Sequence, residues 1–520
     1  MFQKIAAQIV FSSSANLVTA LGATTILGIL GFSWWKQKNT YKPLESLPCP
    51  PRHLLLGNIS QILAAVKQKK FFQLLFDWNQ QLGSMYVLWA SKPVVVLSKP
   101  KVIEETIING MKDGSLIRSE LANKAWNDIA GPILLGQTGS DWQWRRKAWN
   151  PEFSSSSLSK YIDIINQTCE QVIDQIKETT PTQAVKVDPL FVQLTMKVIS
   201  CLVLGIPVDS KIATQDRPPL DVPKVYDAMS ILSYRFLRVA TGEKIWKKYL
   251  PTQTSRSYWA ARRYLEEFLT PRVDLALQMR EQNKIDLTQI SLLFQESMLV
   301  KIAIKEPKYN RETLIAEAIE LLIAGTDTTA HSLSFAVGEL ALNQKVYQKA
   351  QAVVDQAWQN SGGINTETLK ELSYIRAIFK ETLRLYSVAS GSTSLEALRD
   401  TIIDGHVIPR GTKVFWSMLA AGRDPDIYHQ PDEFLPERWL DKSKENSLLP
   451  MIDFGSGSHR CLGEHLSMLE ATLMLALLLR YFDWELVNGR SSLEQLQQNL
   501  LIYPPDGMPV NFRLRTVIGV

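Results

Sequence analysis

The chain has 520 residues, with 57 Lys and Arg against 52 Asp and Glu, a formal net charge of +5 and a pI near 8.8. Hydrophobic residues make up 45% and charged residues 21%, which suits a folded chain with a sizeable core and excludes a disordered one. The mild basic excess forms no concentrated stripe; this excludes sequence-reading of nucleic acid as the main role and suits a membrane surface or an acidic protein partner. Four cysteines, Cys49, Cys169, Cys201 and Cys461, contain no Cys-x-x-Cys pair, and the six histidines are dispersed. That is neither a disulfide framework nor a His/Cys metal site with several protein ligands. It leaves room for a metal that brings four ligands of its own. The length suggests two to four domains, with one large helical enzyme as the other possibility.

No charged residue lies between Lys4 and Lys36, and Ala15 to Trp35 is a mostly apolar stretch about as long as a membrane-spanning helix requires. Trp34 and Trp35 stand where an interfacial aromatic belt would lie. Lys36, Lys38 and Lys42 follow, which puts the bulk of the protein on the cytosolic side. The stretch reads as a retained signal-anchor, with residues 1–44 forming the anchor and the start of a linker and residues 45–520 the bulk of the protein. An organellar transit peptide is the rival, because the first acidic residue is Glu45 and serines cluster at Ser12 to Ser14, although no arginine precedes Arg52. A cleaved secretory signal fits least, since the cysteines give no sign of an oxidising compartment.

Pro43, Pro48, Pro50 and Pro51 stiffen the linker. Met85-Tyr-Val-Leu-Trp and Pro93-Val-Val-Val-Leu, parted by Ala-Ser-Lys, predict a β-hairpin. Almost everything afterwards has helical periodicity, so the expected fold class is mainly α with a small β-sheet region. Trp142 and Arg146 lie four apart in a predicted helix that Asn150-Pro151 ends, and they share one face. Alone, this segment is an amphipathic surface helix carrying a basic cluster of Arg145, Arg146 and Lys147. From about Ser155 to Val300 the helical pattern continues, interrupted near Pro207 to Pro223, and no residue there names a substrate.

Arg311 to Asn343 is long, mostly apolar and helix-forming, yet Ala324-Gly-Thr-Asp-Thr-Thr329 sits in its middle. An acid and three threonines inside a buried helix are costly unless they are bonded, and Gly325 weakens the helix by roughly 1 kcal/mol. Back-bonded threonines and a paired Asp327 would be a purely structural account. A helix opened at Gly325 and Thr328, with Asp327 as an acid–base group, is the functional one. Further on, Glu381 and Arg384 lie three apart in Phe379-Lys-Glu-Thr-Leu-Arg-Leu-Tyr and can pair on one helix face.

Phe454-Gly-Ser-Gly-Ser-His-Arg-Cys-Leu-Gly463 ends a glycine-rich loop at Cys461, directly before a helix-like apolar run from Gly463 to Phe482. Gly455, Gly457 and Gly463 permit backbone geometries and close approaches that other residues resist. The first N–H groups of the following helix point toward the sulfur with the positive end of the dipole, and both effects favour the thiolate. An inert cysteine beside a turn is the plain alternative. A phosphate cradle lacks the Gly-Lys-Ser/Thr ending of a P-loop and the third glycine of a dinucleotide fingerprint.

Together these segments resemble the cytochromes P450, a family with Cys-ligated haem. Phe-x-x-Gly-x-x-x-Cys-x-Gly at 454–463 is similar to its cysteine loop. Trp142-x-x-x-Arg146, with Pro151 and Phe153 at the expected offsets, is similar to its propionate-binding helix, and Ala324 to Thr328 to its oxygen-binding helix. Glu381-x-x-Arg384 with the arginine of Pro436-Glu-Arg-Trp439 is similar to its buried triad. The prolines at 43–51 resemble its hinge, with Cys49 where glycine is common. His406-Val-Ile-Pro-Arg-Gly-Thr-Lys-Val, Arg423-Asp-Pro and Pro505-Asp-Gly-Met-Pro-Val resemble a strand turn, a helix-initiating loop and the last hairpin.

The resemblance implies the cytochrome P450 fold for a 45–520 haem domain, and haem b (iron protoporphyrin IX) as cofactor. Cys461 would be the axial ligand of the haem iron, and Trp142, Arg146 and His459 would hold the propionates. Ala324, Gly325, Phe454, Gly457 and Gly463 would complete the cofactor site. Asp327 and Thr328 would be the catalytic proton relay, and Glu381, Arg384 and Arg438 a structural network. The implied reaction inserts one oxygen atom from O2 into a hydrophobic small molecule. Electrons would come from an NADPH-dependent reductase or a ferredoxin, since no nucleotide or iron–sulfur motif is present. A single N-terminal helix would hold the protein on a membrane with its catalytic domain in the cytosol, as on the endoplasmic reticulum, or else in an organelle. A P450-fold isomerase or dehydratase and a non-catalytic membrane haem-binding protein are the alternatives; the former typically lack the acid–threonine pair retained here.

Three departures from the family pattern stand out. After Leu385-Tyr386 the usual prolines give way to Ser-Val-Ala-Ser-Gly-Ser, which leaves about Ser387 to Leu395 less constrained. A basic propionate contact is replaced by Leu395 or Glu396, with Arg399 as the candidate substitute. His459 stands where arginine is commoner, so the propionates are expected to rest on Trp142, Arg146 and His459 alone, with Arg460 facing the redox partner.

Overall fold

The computed structural model describes residues 39–516 except 54–55, 91, 181–182, 209–218, 241, 282–289, 364, 390–393 and 441–451. The predicted membrane anchor lies outside the described residues, as does most of the interrupted region near Pro207 to Pro223. The remainder is mainly helical with small sheets, as the sequence leads one to expect.

The helix Arg311–Leu342 is the spine of the molecule. It starts at a capping box: the Asn310 side chain accepts the Thr313 N–H at 2.9 Å, and Thr313 Oγ1 accepts the Asn310 N–H at 3.0 Å, so orphan donors of the first turn are satisfied. Apolar residues round most of its circumference bury it, with Ala324 in its middle left exposed. Val187–Leu204 lies along it, and Thr195 Oγ1 donates to the Thr326 carbonyl at 3.0 Å. Among the described residues Val187–Leu204 is the one helix long and apolar enough to cross a membrane, but most of it is buried inside the protein; its length and composition serve the core.

The sequence-predicted hairpin is present: Met85–Leu88 and Val94–Leu97 pair antiparallel, Met85 opposite Leu97. They form one edge of a five-stranded sheet that continues through Lys413–Trp416, Leu395–Ala397 and Leu116–Arg118. Tyr41, Leu44 and Leu47 pack on this sheet, and the Val87 N–H donates to the Pro48 carbonyl at 2.9 Å. The chain from Tyr41 onward is thus part of the sheet cluster, and the linker prolines hold its path along the strand.

Two resemblances of local structure come out differently. Pro505–Gly507 is a turn into Pro509–Leu514, which joins Phe482–Leu486 and Val185–Lys186 in a three-stranded sheet; the hairpin nearby is Gln497–Gln498 with Ile502–Tyr503. Arg423-Asp-Pro opens a run of turns and not a helix. The reason lies in where its carbonyls go: those of Pro431 and Glu433 accept from Arg384 at 2.6 and 3.0 Å, and that of His429 accepts from Arg438 at 3.0 Å. A continuing helix would have consumed them.

Candidate functional site

Two walls frame the candidate site, one at the start of the helix Glu464–Tyr481 and one in the middle of the spine helix, and the two helices pack together. One wall is the cysteine loop. Gly455 and Gly457 have φ of +74° and +64°, values a side chain resists, and they fold the loop so that the Cys461 N–H donates to the Phe454 carbonyl at 2.6 Å. Gly463 has φ −87° and caps the helix Glu464–Tyr481; its backbone N–H faces the Cys461 sulfur, as the dipole argument requires. The other wall is Ala324, which is exposed although Ile323 and Thr326 beside it are buried. Thr329 Oγ1 and Ser467 Oγ, 2.9 Å apart, tie the spine to the helix that follows Cys461.

Cys461 is exposed by its surface yet set deep among protein atoms. Burial pushes its thiol pKa up; the Gly463 N–H and the Arg146 and Arg460 guanidinium groups pull the other way without winning. The expected bias toward the thiolate is present in the Gly463 N–H, and burial outweighs it; a bound metal would supply the rest by displacing the proton.

Beside the sulfur lies a basic wall. The Trp142 and His459 rings stack with centroids 3.8 Å apart, and Arg146 sits one turn on in the helix Gly139–Trp149. Arg118, absent from the sequence-based set, joins them from the end of Leu116–Arg118. It is buried and donates to the Leu135 carbonyl at 2.9 Å. Burial, with Arg118 and Arg146 adding repulsion, pushes His459 down to about 3, while burial brings Arg118 down to about 10. His459 Nδ1 and Arg146 Nε are buried without a hydrogen-bond partner among the described residues. Orphaned buried donors crowded with like charge fit a ligand that presents carboxylates there, as a haem presents propionates. The one sequence signal for Arg118 is a charge inside an otherwise apolar strand.

Other predicted contacts to this wall do not form. Leu395 is buried in the sheet, Glu396 pairs with Lys92 at 2.6 Å, and Arg399 pairs with Asp113 at 3.4 Å on the surface. Arg399 thus does not reach this wall, whereas Arg118 stands beside His459 in it. Arg460 pairs with Glu464. Arg145, grouped by the sequence with a surface basic cluster, is buried against Glu317, whose carboxylate also meets Trp149 and Tyr309.

The spine does not open at Gly325: Arg311–Leu342 is one continuous helix, and Thr328 Oγ1 donates to the Ala324 carbonyl at 2.8 Å. The threonine back-bond satisfies both groups without a break. A Cβ on Gly325 would lie 2.9 Å from Ile199 Cγ1, so this glycine lets Val187–Leu204 approach closely. Burial raises the pKa of Asp327; nearby His331 lowers it, Asp188 raises it and the facing Tyr226 hydroxyl lowers it. Asp327 Oδ1 has no partner among the described residues.

One turn on from Asp327, His331 Nδ1 bonds Asp188 Oδ1 at 2.8 Å, and Ser334 donates to the same oxygen at 2.8 Å. Burial pulls His331 down, but Asp188, then Asp327, push it up, for a net rise. A histidine held above its unfolded pKa contributes stability that is complete below the unfolded value of about 6.5 and is lost as pH rises through the higher folded value. Unfolding free energy in denaturant is expected to fall as pH rises above about 6.5, and His331→Gln to flatten that fall. An unchanged slope in the variant would contradict the assignment.

Behind the cysteine loop, Glu381 is fully buried and collects five donors. Oε1 accepts from Arg384 Nη2 at 2.7 Å, Arg438 Nε at 2.9 Å and the Leu435 N–H at 2.9 Å; Oε2 accepts from Arg384 Nε and Trp439 Nε1, both at 2.9 Å. Trp439 completes what the motifs suggested as a triad.

A family model for cytochrome P450 matches residues 47–512. Cytochrome P450 71B26 of Arabidopsis thaliana is 25% identical over 474 residues, 88% of this chain and 90% of its own length. Cytochrome P450 302a1, mitochondrial, of Drosophila melanogaster is 25% identical over 492 residues, 91% and 96%. Cytochrome P450 3A6 of Oryctolagus cuniculus is 26% identical over 419 residues, 79% and 81%.

Proposed function

The chain belongs to the cytochrome P450 family and is a haem-thiolate monooxygenase, and on that premise we propose roles for the residues of its cleft. The family's haem supplies the iron centre at which dioxygen is activated and one oxygen atom is passed to a hydrophobic substrate; here we take it to be haem b. Cys461 would hold the haem iron through its thiolate, supported by its exposed, deep-set sulfur and by the Gly463 N–H that stabilises its charge. Arg118, Arg146, Trp142 and His459 hold the propionates, and bound carboxylates would raise His459 and relieve its repulsion from the arginines. Phe454, Gly457 and Gly463 shape the cysteine loop that would hold the haem, while Ala324 and Gly325 would complete its site from the spine helix.

Asp327 and Thr328 move protons into the cleft. Burial holds the Asp327 carboxyl closer to neutrality than an exposed aspartate, which suits a group that must both take up and give up a proton. Its unbonded Oδ1 is free to accept one, and Thr328 Oγ1, bonded to the Ala324 carbonyl, can turn to pass it on. Glu381, Arg384 and Arg438 hold the loop in place without touching the chemistry. Electrons come from an external partner, an NADPH-dependent reductase or a ferredoxin. Residues 1–44 are the anchor and the start of the linker, residues 45–520 the haem domain, and the catalytic side faces the cytosol; an organelle is the alternative location.

The observation that carries this reading is the orphaned basic wall standing beside the one accessible deep cysteine. Thr328→Ala tests the proton relay. With reductase and substrate, the variant is expected to go on consuming NADPH while product per NADPH falls by about 10²-fold, the lower range for a positioned proton donor. Unchanged coupling would remove Thr328 from the mechanism.

A further inference from the structure

Away from the cysteine, the five-stranded sheet forms a wall of an apolar cavity of about 340 Å³. Alternate residues of a strand share a face, and the register aligns them in rows: Val94 pairs with Lys413 and Val96 with Phe415, and Glu396 stands opposite Lys413. Lys413 is therefore set into the same face as two valines and a phenylalanine, and it lines the cavity with them. Its anionic neighbour Glu396 is already bonded to Lys92 at 2.6 Å. The Lys413 N–H donates to the Pro93 carbonyl at 3.0 Å, but its ammonium makes no hydrogen bond or ion pair among the described residues. Burial lowers its pKa, Glu396 raises it and Lys92 lowers it.

A second polar group is also left over. Ser119 is 1% exposed and lines the same cavity, and its Oγ finds no partner among the described residues. It stands at the N-cap of Glu120–Ala130, where a serine side chain ordinarily accepts an N–H of the first turn, yet it makes no such bond. Its own N–H donates to the Ser394 carbonyl at 2.8 Å, which places it one strand from Leu395–Ala397 and two from Lys413. With strands about 4.8 Å apart, the two backbones are about 10 Å apart, a gap that the lysine side chain and one carboxylate can span. Ser119 directly follows Arg118 in the chain, and neighbouring residues of a strand face opposite ways.

An ammonium and a hydroxyl left unpaired in apolar surroundings are costly unless a ligand satisfies them. We propose that this cavity recognises the acidic end of the substrate, a monocarboxylic acid with an apolar body whose carboxylate bonds Lys413 Nζ and Ser119 Oγ. The proposal rests on the reading of the chain as a monooxygenase fed through this cavity, and it narrows the substrate from hydrophobic molecules in general to amphipathic acids.

Spectral titration of the haem-loaded protein with dodecanoic acid and with methyl dodecanoate tests it. The acid is expected to bind about ten-fold tighter than its ester, a difference of about 1.4 kcal/mol. Lys413→Met should abolish that preference while leaving the ester unchanged, and Lys413→Arg should keep it. Equal affinity for acid and ester, equal losses for both in Lys413→Met, or no Soret response to either probe would each overturn the proposal. The reduced carbon monoxide spectrum of every sample separates the two readings. A normal thiolate-type band without acid preference removes the carboxylate site alone, whereas absence of the band in the unaltered protein removes the role given to Cys461.

Discussion

Glu381→Gln is expected to lower the stability of the folded protein by about 3–5 kcal/mol, the usual consequence of removing one partner from a buried ion pair. The carboxylate is 0% exposed and Arg384 only 1%, so neither can turn to water. All five groups around Glu381 are donors. A glutamine there would present an NH2 to some of them, placing donor against donor and leaving the Arg384 charge uncompensated. The same arginine holds the carbonyls of Gly422, Pro431 and Glu433, so the loss would spread to the whole turn-rich stretch that precedes the cysteine loop. Denaturant unfolding of the haem-loaded protein measures the change, and the yield of protein with a red-shifted Soret band in its carbon monoxide complex should fall with it. A loss under about 1 kcal/mol, the size expected of a surface pair, would mean that the network does not hold this stretch.

Cys461→Ser is expected to abolish monooxygenase turnover and the thiolate-type band of the reduced carbon monoxide complex, while leaving the fold intact. Serine keeps the Gly463 N–H and the loop geometry, but its hard, poorly acidic oxygen cannot replace a soft thiolate as ligand and electron donor. The side chain is exposed by its surface, so the substitution creates no cavity. Circular dichroism and unfolding should therefore match the parent protein. A variant that kept the red-shifted band would show that another residue ligates the iron.

How far the site could be read from the chain depends on how local each part is. The cysteine loop, the Ala324 to Thr329 segment and the Glu381-x-x-Arg384 pair are short runs whose chemistry lies within a turn or two of helix or loop. Their spacing alone puts sulfur, acid and ion pair on defined faces, and the hairpin at Met85 to Leu97 follows from alternation and a turn in the same way. Arg145 shows where this fails. Beside Arg146 and Lys147 it has the look of a solvated cation, and only the packing of its helix against the spine reveals that it is buried on Glu317. Gly325 fails in the opposite sense, since a glycine within a reactive-looking segment serves a helix contact with Ile199.

The sequence by itself determined the family, the helical class, the candidate ligand and the acid–threonine pair, because those depend on residues that are neighbours along the chain. Packing between separate elements put Arg118 in the basic wall, let Asp188 raise the His331 pKa, and set Lys413 and Ser119 along one cavity. Each of these pairs brings together groups from separate elements. Whether a polar side chain ends up solvated, paired or orphaned depends on what the rest of the fold packs against it, and no periodicity along the chain encodes that partner.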